Sequence, residues 1–185
     1  MKNLTLLLLL LAFSPAAFGW DLQLGYKREK PSLGAGSQSY ENSGTSINFK
    51  PEPTENIDAS SLLLGVQFEE WGGSYETSQW KFPTEFTPTD GTATSLDMTI
   101  KEDRLGIHYE FARELAGFYI GAGVSSWKEE VTYQGESYSY STQEPFLRWG
   151  FDLIFGLFRI RADQINMSAG SHTIKINSLG ILASF

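Results

Sequence analysis

The chain has no cysteine, which excludes disulfides and thiolate metal sites. Histidine is nearly absent, at two residues, His108 and His172. Beyond the first dozen residues no apolar run approaches the ~20 residues of a membrane-spanning helix. Cations are few: 14 Lys and Arg face 22 Asp and Glu, for a net charge of −8 and a pI near 4.8. Nucleic acid is therefore excluded as a partner, since its phosphates would be repelled. The mean hydropathy is only −0.22. That value does not exclude a membrane β-barrel, whose inward polar residues dilute every strand.

What is present begins at the N-terminus. Lys2 supplies a positive charge, and Leu6 to Phe13 is an apolar run opening with six leucines. Ser14-Pro15 breaks it, and Ala17-Phe18-Gly19 offers small residues where a signal peptidase cuts. Residues 1–19 read as a secretory signal peptide and 20–185 as one mature domain starting at Trp20.

The mature chain alternates apolar and polar residues, the period of a β-strand. In 104–111, Leu105, Ile107, Tyr109 and Phe111 share one face and Arg104, Gly106, His108 and Glu110 the other. Segments 20–27, 60–68, 118–125, 145–155, 158–163 and 171–185 behave alike, and a weaker one, 45–50, makes eight. In the last, Leu179, Ile181, Ala183 and Phe185 share a parity that Ile174 and Ile176 break, which predicts a bulge near Asn177-Ser178 or a water-exposed upper half. Residues 51–57, 112–117 and 156–157 read as short turns; 29–43, 83–93 and 132–143 read as longer polar loops. The expectation is an all-β fold: an eight-stranded antiparallel up-and-down transmembrane β-barrel with short periplasmic turns and longer extracellular loops. On this topology Trp20, Phe111, Phe118, Phe155, Phe158 and Phe185 form an outward aromatic girdle at the periplasmic end.

An eight-stranded barrel has an interior just wide enough for side chains. Asp21, Glu69, Glu110, Asp152 and Asp163 on the inward parity are balanced by Lys27, Arg104, Arg148, Arg159 and Arg161, with His108 among them. These residues are expected to pair as a plug, because unpaired buried charges are costly. A conducting lumen and a soluble lipocalin-like barrel are the alternatives.

The signal peptide, the eight segments, the Phe118-Tyr119-Ile120-Gly121-Ala122-Gly123-Val124 strand and the terminal Phe185 resemble the small outer-membrane barrels of the OmpA transmembrane domain and the OmpX/Ail group. The resemblance implies a Gram-negative outer membrane, contact with its lipid and lipopolysaccharide, and delivery by the barrel-assembly machinery. It would make Leu179, Ile181, Ala183 and Phe185 the assembly signal. Unlike OmpA, the chain carries no peptidoglycan-binding domain after the barrel.

Catalysis has little to work with. Lipid A deacylases of similar size carry a His-x-Ser pair on one strand. Here His108 is followed by Glu110 and His172 by Ile174, so neither histidine has a nucleophile on its face. No cofactor or metal motif is present. His172 is expected to be solvated near an outer loop. Glu69, Glu70, Glu76, Glu85, Asp90, Asp97, Glu102, Asp103, Glu129, Glu130, Glu136 and Glu144 are expected to form an acidic outer rim, either simply solvated or suited to divalent cations. Tyr133, Tyr138 and Tyr140 among serines suit protein recognition at the loops, or a strand extending above the membrane. The resulting expectation is a non-enzymatic surface barrel serving envelope integrity or interaction through its loops. A narrow channel or small-ligand carrier is second, and a lipid-modifying enzyme third.

Overall fold

Strands follow one another in antiparallel order: β1 (Trp20–Leu33), β2 (Gln38–Asn42), β3 (Thr45–Phe49), β4 (Ala59–Phe68), β5 (Trp71–Phe86), β6 (Thr94–Phe111), β7 (Ala116–Tyr133), β8 (Glu136–Phe155), β9 (Phe158–Ala169) and β10 (His172–Ser184). The structure, a computed structural model, describes residues 19–34, 36, 38–42, 44–49, 53–55, 57–86, 94–111 and 114–185. All of the expected signal peptide except Gly19 lies outside these residues.

Eight of the strands close into a barrel. Around the wall the order is β1, β4, β5, β6, β7, β8, β9 and β10, and β10 pairs back to β1. The two termini meet at this seam, where Leu22 and Phe185 exchange backbone hydrogen bonds of 3.1 and 2.9 Å. Closure leaves no open edge along the wall, so its backbone groups are satisfied strand to strand. β4 joins β5 at 69–70 and β8 joins β9 at 156–157 at the end that holds Trp20 and Phe185, where β6 ends and β7 begins; 134–135 and 170–171 lie at the far end, where β1 and β5 end.

The wall differs from the expected one in its second and third strands. Residues 45–49 do not enter it; among the described residues β3 pairs only with β2, and β2 bridges β8 at Glu41↔Ser139. β4 takes the second place and β5 the third. β5 was hidden because its outward residues past Tyr75 are Thr77, Gln79 and Lys81 and the inward ones beside them are Glu76 and Ser78, so no apolar face marks 76–79. With β5 inserted, β4 runs toward the terminal end, and Glu69-Glu70 make a tight turn there. Residues 51–57 move to the far end, where Thr54 bridges Leu33 and the Ile57 N–H bonds to the Pro31 carbonyl at 2.9 Å.

The expected loops are shorter than they read. β1 runs on to Leu33, and β5 to Phe86. Residues 132–143 are mostly the top of a hairpin whose turn is Gln134-Gly135, with φ of 51° and 84°. Positive φ at both central positions is what a two-residue hairpin turn requires. The β7–β8 hairpin thus rises well above the β9–β10 turn, which sits at the level of Glu144, 3.4 Å from the Gly170 N–H. No bulge interrupts β10: its pairing with β9 is continuous from His172↔Ala169 to Ala183↔Phe158.

Candidate functional site

The wall carries two opposite polarity patterns, one above the other. In the terminal half, outward side chains are apolar: Leu105, Ile107, Ile120, Val124, Leu147 and Ile181 are all exposed. On β8 this stretch runs from Leu147 to Phe155, about 27 Å along the strand. In the far half the outward residues turn polar, as Ser126, Lys128, Glu130 and Thr132 do on β7. The inward face changes in the reverse sense. β6 points Glu110, His108, Arg104 and Glu102 inward, then Ile100 and Met98. β10 makes the same change, so Ile174 and Ile176 are buried while Leu179 and Ile181 are exposed. The broken parity of the last strand therefore marks the height at which the wall's polarity pattern inverts.

The outward aromatics gather at the terminal end. Trp20, Phe111, Phe118, Phe155, Phe158 and Phe185 all project there, joined by Phe68, Trp71 and Phe151. Trp20 stands against Phe68 at 6.0 Å, Trp71 against Tyr109 at 5.1 Å, and Phe111 against Phe118 at 6.2 Å. Leu179, Ile181 and Phe185 are exposed on the same face, with Ala183 half-buried between them.

Inside the terminal half lies a chain of buried charges. Near the terminal end Arg159 bonds Glu110 at 3.1 Å, and Arg161 grips Asp152 with two bonds of 2.9 and 2.7 Å. Asp163 accepts from Lys27 at 3.1 Å, from the Tyr119 hydroxyl at 2.8 Å and from Ser178. Lys27 reaches Glu76 at 2.7 Å, which also holds Arg148 at 2.6 Å. Arg104 pairs with Glu29 and lies 3.4 Å from Glu76 and 3.8 Å from Glu102. His108 is buried, its Nε2 3.1 Å from Gln67 Oε1. Asp21, by contrast, is half-buried at the terminal rim with no ion pair among the described residues. Multiple bonds per charge are what makes such burial tolerable.

Above the charges the lumen is filled by apolar side chains: Trp80, Met98, Ile100, Trp127, Phe146, Ile165, Ile176 and their neighbours. Trp80 and Trp127 meet edge to face at 5.4 Å. The β2–β3 hairpin covers this core. Its Tyr40 is fully buried, stands edge to face with Tyr140 at 6.3 Å, and donates its hydroxyl to Glu129, which also accepts from the Trp127 indole at 2.7 Å.

The acidic rim read from sequence is smaller than expected. Glu76, Glu102 and Glu129 are inward and buried, because each has the parity of the inward residues of its strand. Glu69 and Glu70 occupy the opposite end. Asp97, Asp103, Glu130, Glu136 and Glu144 remain at the far end, where Glu130 bridges Lys101 and Lys128 at 2.8 and 2.7 Å. Asp90 lies outside the described residues. His172 is not solvated: it is 1% exposed, against the backbone of Gly36. Glu29 was missed as a lumen charge, although extending the first strand by one more alternation past Lys27 would have found it.

Chemically the interior is a pairing network and an apolar stopper. Among the described residues no cluster of His, Asp and Glu is arranged to hold a metal. His108 faces Gln67 and Tyr119, and no serine stands beside it as a nucleophile would.

No family model matches the chain, and no curated protein sequence matches it either. Solved structures do. Neisserial surface protein A has 13% identity and a TM-score of 0.60, over 90% of this chain and 97% of its own. The attachment invasion locus protein Ail of Yersinia pestis has 16% identity and a TM-score of 0.56, over 90% and 99%. The N-terminal β-barrel domain of Pseudomonas aeruginosa OprF has 11% identity and a TM-score of 0.51, over 87% and 97%. The chain shares the closed eight-stranded antiparallel barrel fold of these outer-membrane proteins.

Proposed function

We propose that the chain is a non-enzymatic barrel of a Gram-negative outer membrane, exported by its signal peptide, sealed to solutes, and acting at the surface through its far end. The observation that carries this is the polarity inversion. An apolar outer wall over a charged lumen suits lipid outside. A polar outer wall over an apolar lumen suits water outside. The change from one to the other on β1, β6, β7, β8, β9 and β10 at one level supports a barrel standing half in a bilayer and half above it. The aromatic girdle supports placing the terminal end at the periplasmic interface.

The channel alternative is opposed by the filling of the lumen, charges below and Trp80, Trp127 and Phe146 above. Reconstituted into planar bilayers, the protein is expected to give no conductance steps; discrete steps would overturn the sealed reading. Protease added to whole cells is expected to cut at the Gln134-Gly135 tip and to spare 112–115. The reverse pattern would invert the barrel.

The partners in this reading are membrane lipid and lipopolysaccharide around the wall, the barrel-assembly machinery during insertion, and a protein at the β7–β8 hairpin, where Ser137 and Ser141 are exposed beside Thr132 and Lys128. One solved Ail structure holds the heparin analogue sucrose octasulfate. Here Asp97, Asp103, Glu130, Glu136 and Glu144 at the far end would repel such a polyanion. Calorimetric titration with sucrose octasulfate is expected to give no heat of binding.

A further inference from the structure

The far-end core contains a buried carboxylate that the sealing of the lumen does not require. Glu129 is fully buried and receives hydrogen bonds from Tyr40 and from Trp127, both neutral donors. Among the described residues no lysine or arginine acts on it; His172, on β10, does. His172 is itself 1% exposed, and among the described residues neither ring nitrogen has a hydrogen-bond partner. The other groups facing Glu129 are Ile100 on β6 and Tyr140 on β8, its cross-strand partners. A buried charge held only by neutral donors, beside a buried base with no partner, is a costly arrangement for a merely structural core.

The β2–β3 hairpin rests on this cluster. It meets β8 at the bridge Glu41↔Ser139 and at the Asn42–Glu136 hydrogen bond of 3.5 Å, and its buried anchor is Tyr40. The segment leading to it lies on His172, where a side chain on Gly36 would meet Nδ1 at 2.3 Å. We propose that Glu129, Tyr40 and His172 form a proton-sensitive clasp that holds the β2–β3 hairpin over the barrel mouth and releases it as pH rises.

The sign follows from where the groups stand in each state. With the hairpin closed, a proton on Glu129 leaves it without charge, and no proton leaves a buried anion. With the hairpin lifted, water solvates the carboxylate and the anion is no longer penalised. The closed state therefore binds that proton more tightly. Burial, the largest influence, holds the Glu129 carboxyl above its usual range. A group raised in the closed state favours closure at low pH, and that contribution is lost as pH rises through the raised value.

The absence of native cysteine makes the test direct. Met98 is fully buried beneath the hairpin, so in a Met98→Cys variant the only thiol is behind the lid. Maleimide labelling, normalised to a free thiol, is expected to rise about tenfold from roughly pH 5.5 to 8.5. Met98→Cys with Glu129→Gln is expected to label at a pH-independent rate. An oxidised Glu41→Cys/Ser139→Cys pair added to Met98→Cys should lock the hairpin and stop labelling. A heat-sensitive shift in gel mobility verifies that each variant is a folded barrel, and Ala169→Cys serves as reporter if Met98→Cys does not fold. Equal pH slopes with and without Glu129 would overturn the clasp. So would an absence of labelling at every pH, which would mean that the hairpin does not open.

Discussion

Lys27 and Asp163 are 136 positions apart in sequence and 3.1 Å apart across the lumen, both fully buried. Asp163 is the junction of the charge network, since Tyr119, Ser178 and Lys27 all donate to it. Asp163→Ala strands these donors and is expected to cost about 3–5 kcal/mol. Lys27→Met on that background should recover part of the loss, because the stranded cation goes with it. Denaturant unfolding in lipid vesicles, run as a double-mutant cycle, measures both; additive losses would show that the pair is uncoupled.

The polarity inversion makes two outward sites on one strand behave differently. Ile120 lies in the apolar band of β7 and Thr132 in its polar upper part. Ile120→Arg is expected to cost about 2–4 kcal/mol, as arginine does on a lipid-facing wall. Thr132→Arg should stay within about 0.5 kcal/mol. Equal costs in vesicle unfolding would place the membrane boundary elsewhere.

Gly123 points into the lumen, and a Cβ there would meet the Leu105 carbonyl oxygen at 2.2 Å and the Phe146 ring at 2.5 Å. Neither can yield freely, since one is ladder backbone and the other is part of the apolar stopper. Gly123→Ala is expected to destabilise the barrel by about 1–3 kcal/mol. The same vesicle unfolding assay reads it, and a neutral result would mean that Phe146 has room to turn aside.

Phe185 is exposed at the end of the closing strand. If the last strand is the assembly signal, Phe185→Ala lowers the amount of heat-modifiable barrel in outer-membrane fractions. The purified variant should still refold in detergent, with a stability loss below about 1 kcal/mol. Loss of refolding in detergent would make Phe185 a packing residue rather than a signal.

Four wall strands, β6 to β9, were legible because aliphatic and aromatic side chains alternate strictly with polar ones along their terminal halves. The closing strand was legible for the same reason. β5 was not, since Thr77, Gln79 and Ser78 carry no contrast between faces and Gly73 leaves one lipid-facing position empty. Glu76, Glu102 and Glu129 were read as solvated acids because a carboxylate in a polar stretch looks alike whether it faces water or the lumen. The parity of the strand itself, carried past its apolar stretch, separates the two. Ile174 and Ile176 did carry the missing signal: two isoleucines out of step with Leu179 and Ile181 announce that inside and outside exchange character along one strand. The hairpin over the mouth could not be read, as its seating depends on one buried tyrosine brought 89 positions away to Glu129.

The wall is not level. β7 and β8 climb past the turn that ends β9 and β10, so the rim slopes from a tall side to a low one. A body arriving at the far end meets the β5–β6 and β7–β8 hairpins before the β9–β10 turn, and leans toward the low side as it settles. The barrel therefore has a heading about its own axis. Copies brought side by side could line up their tall edges or oppose them, and a crowd of them would present a grain to whatever lands on it.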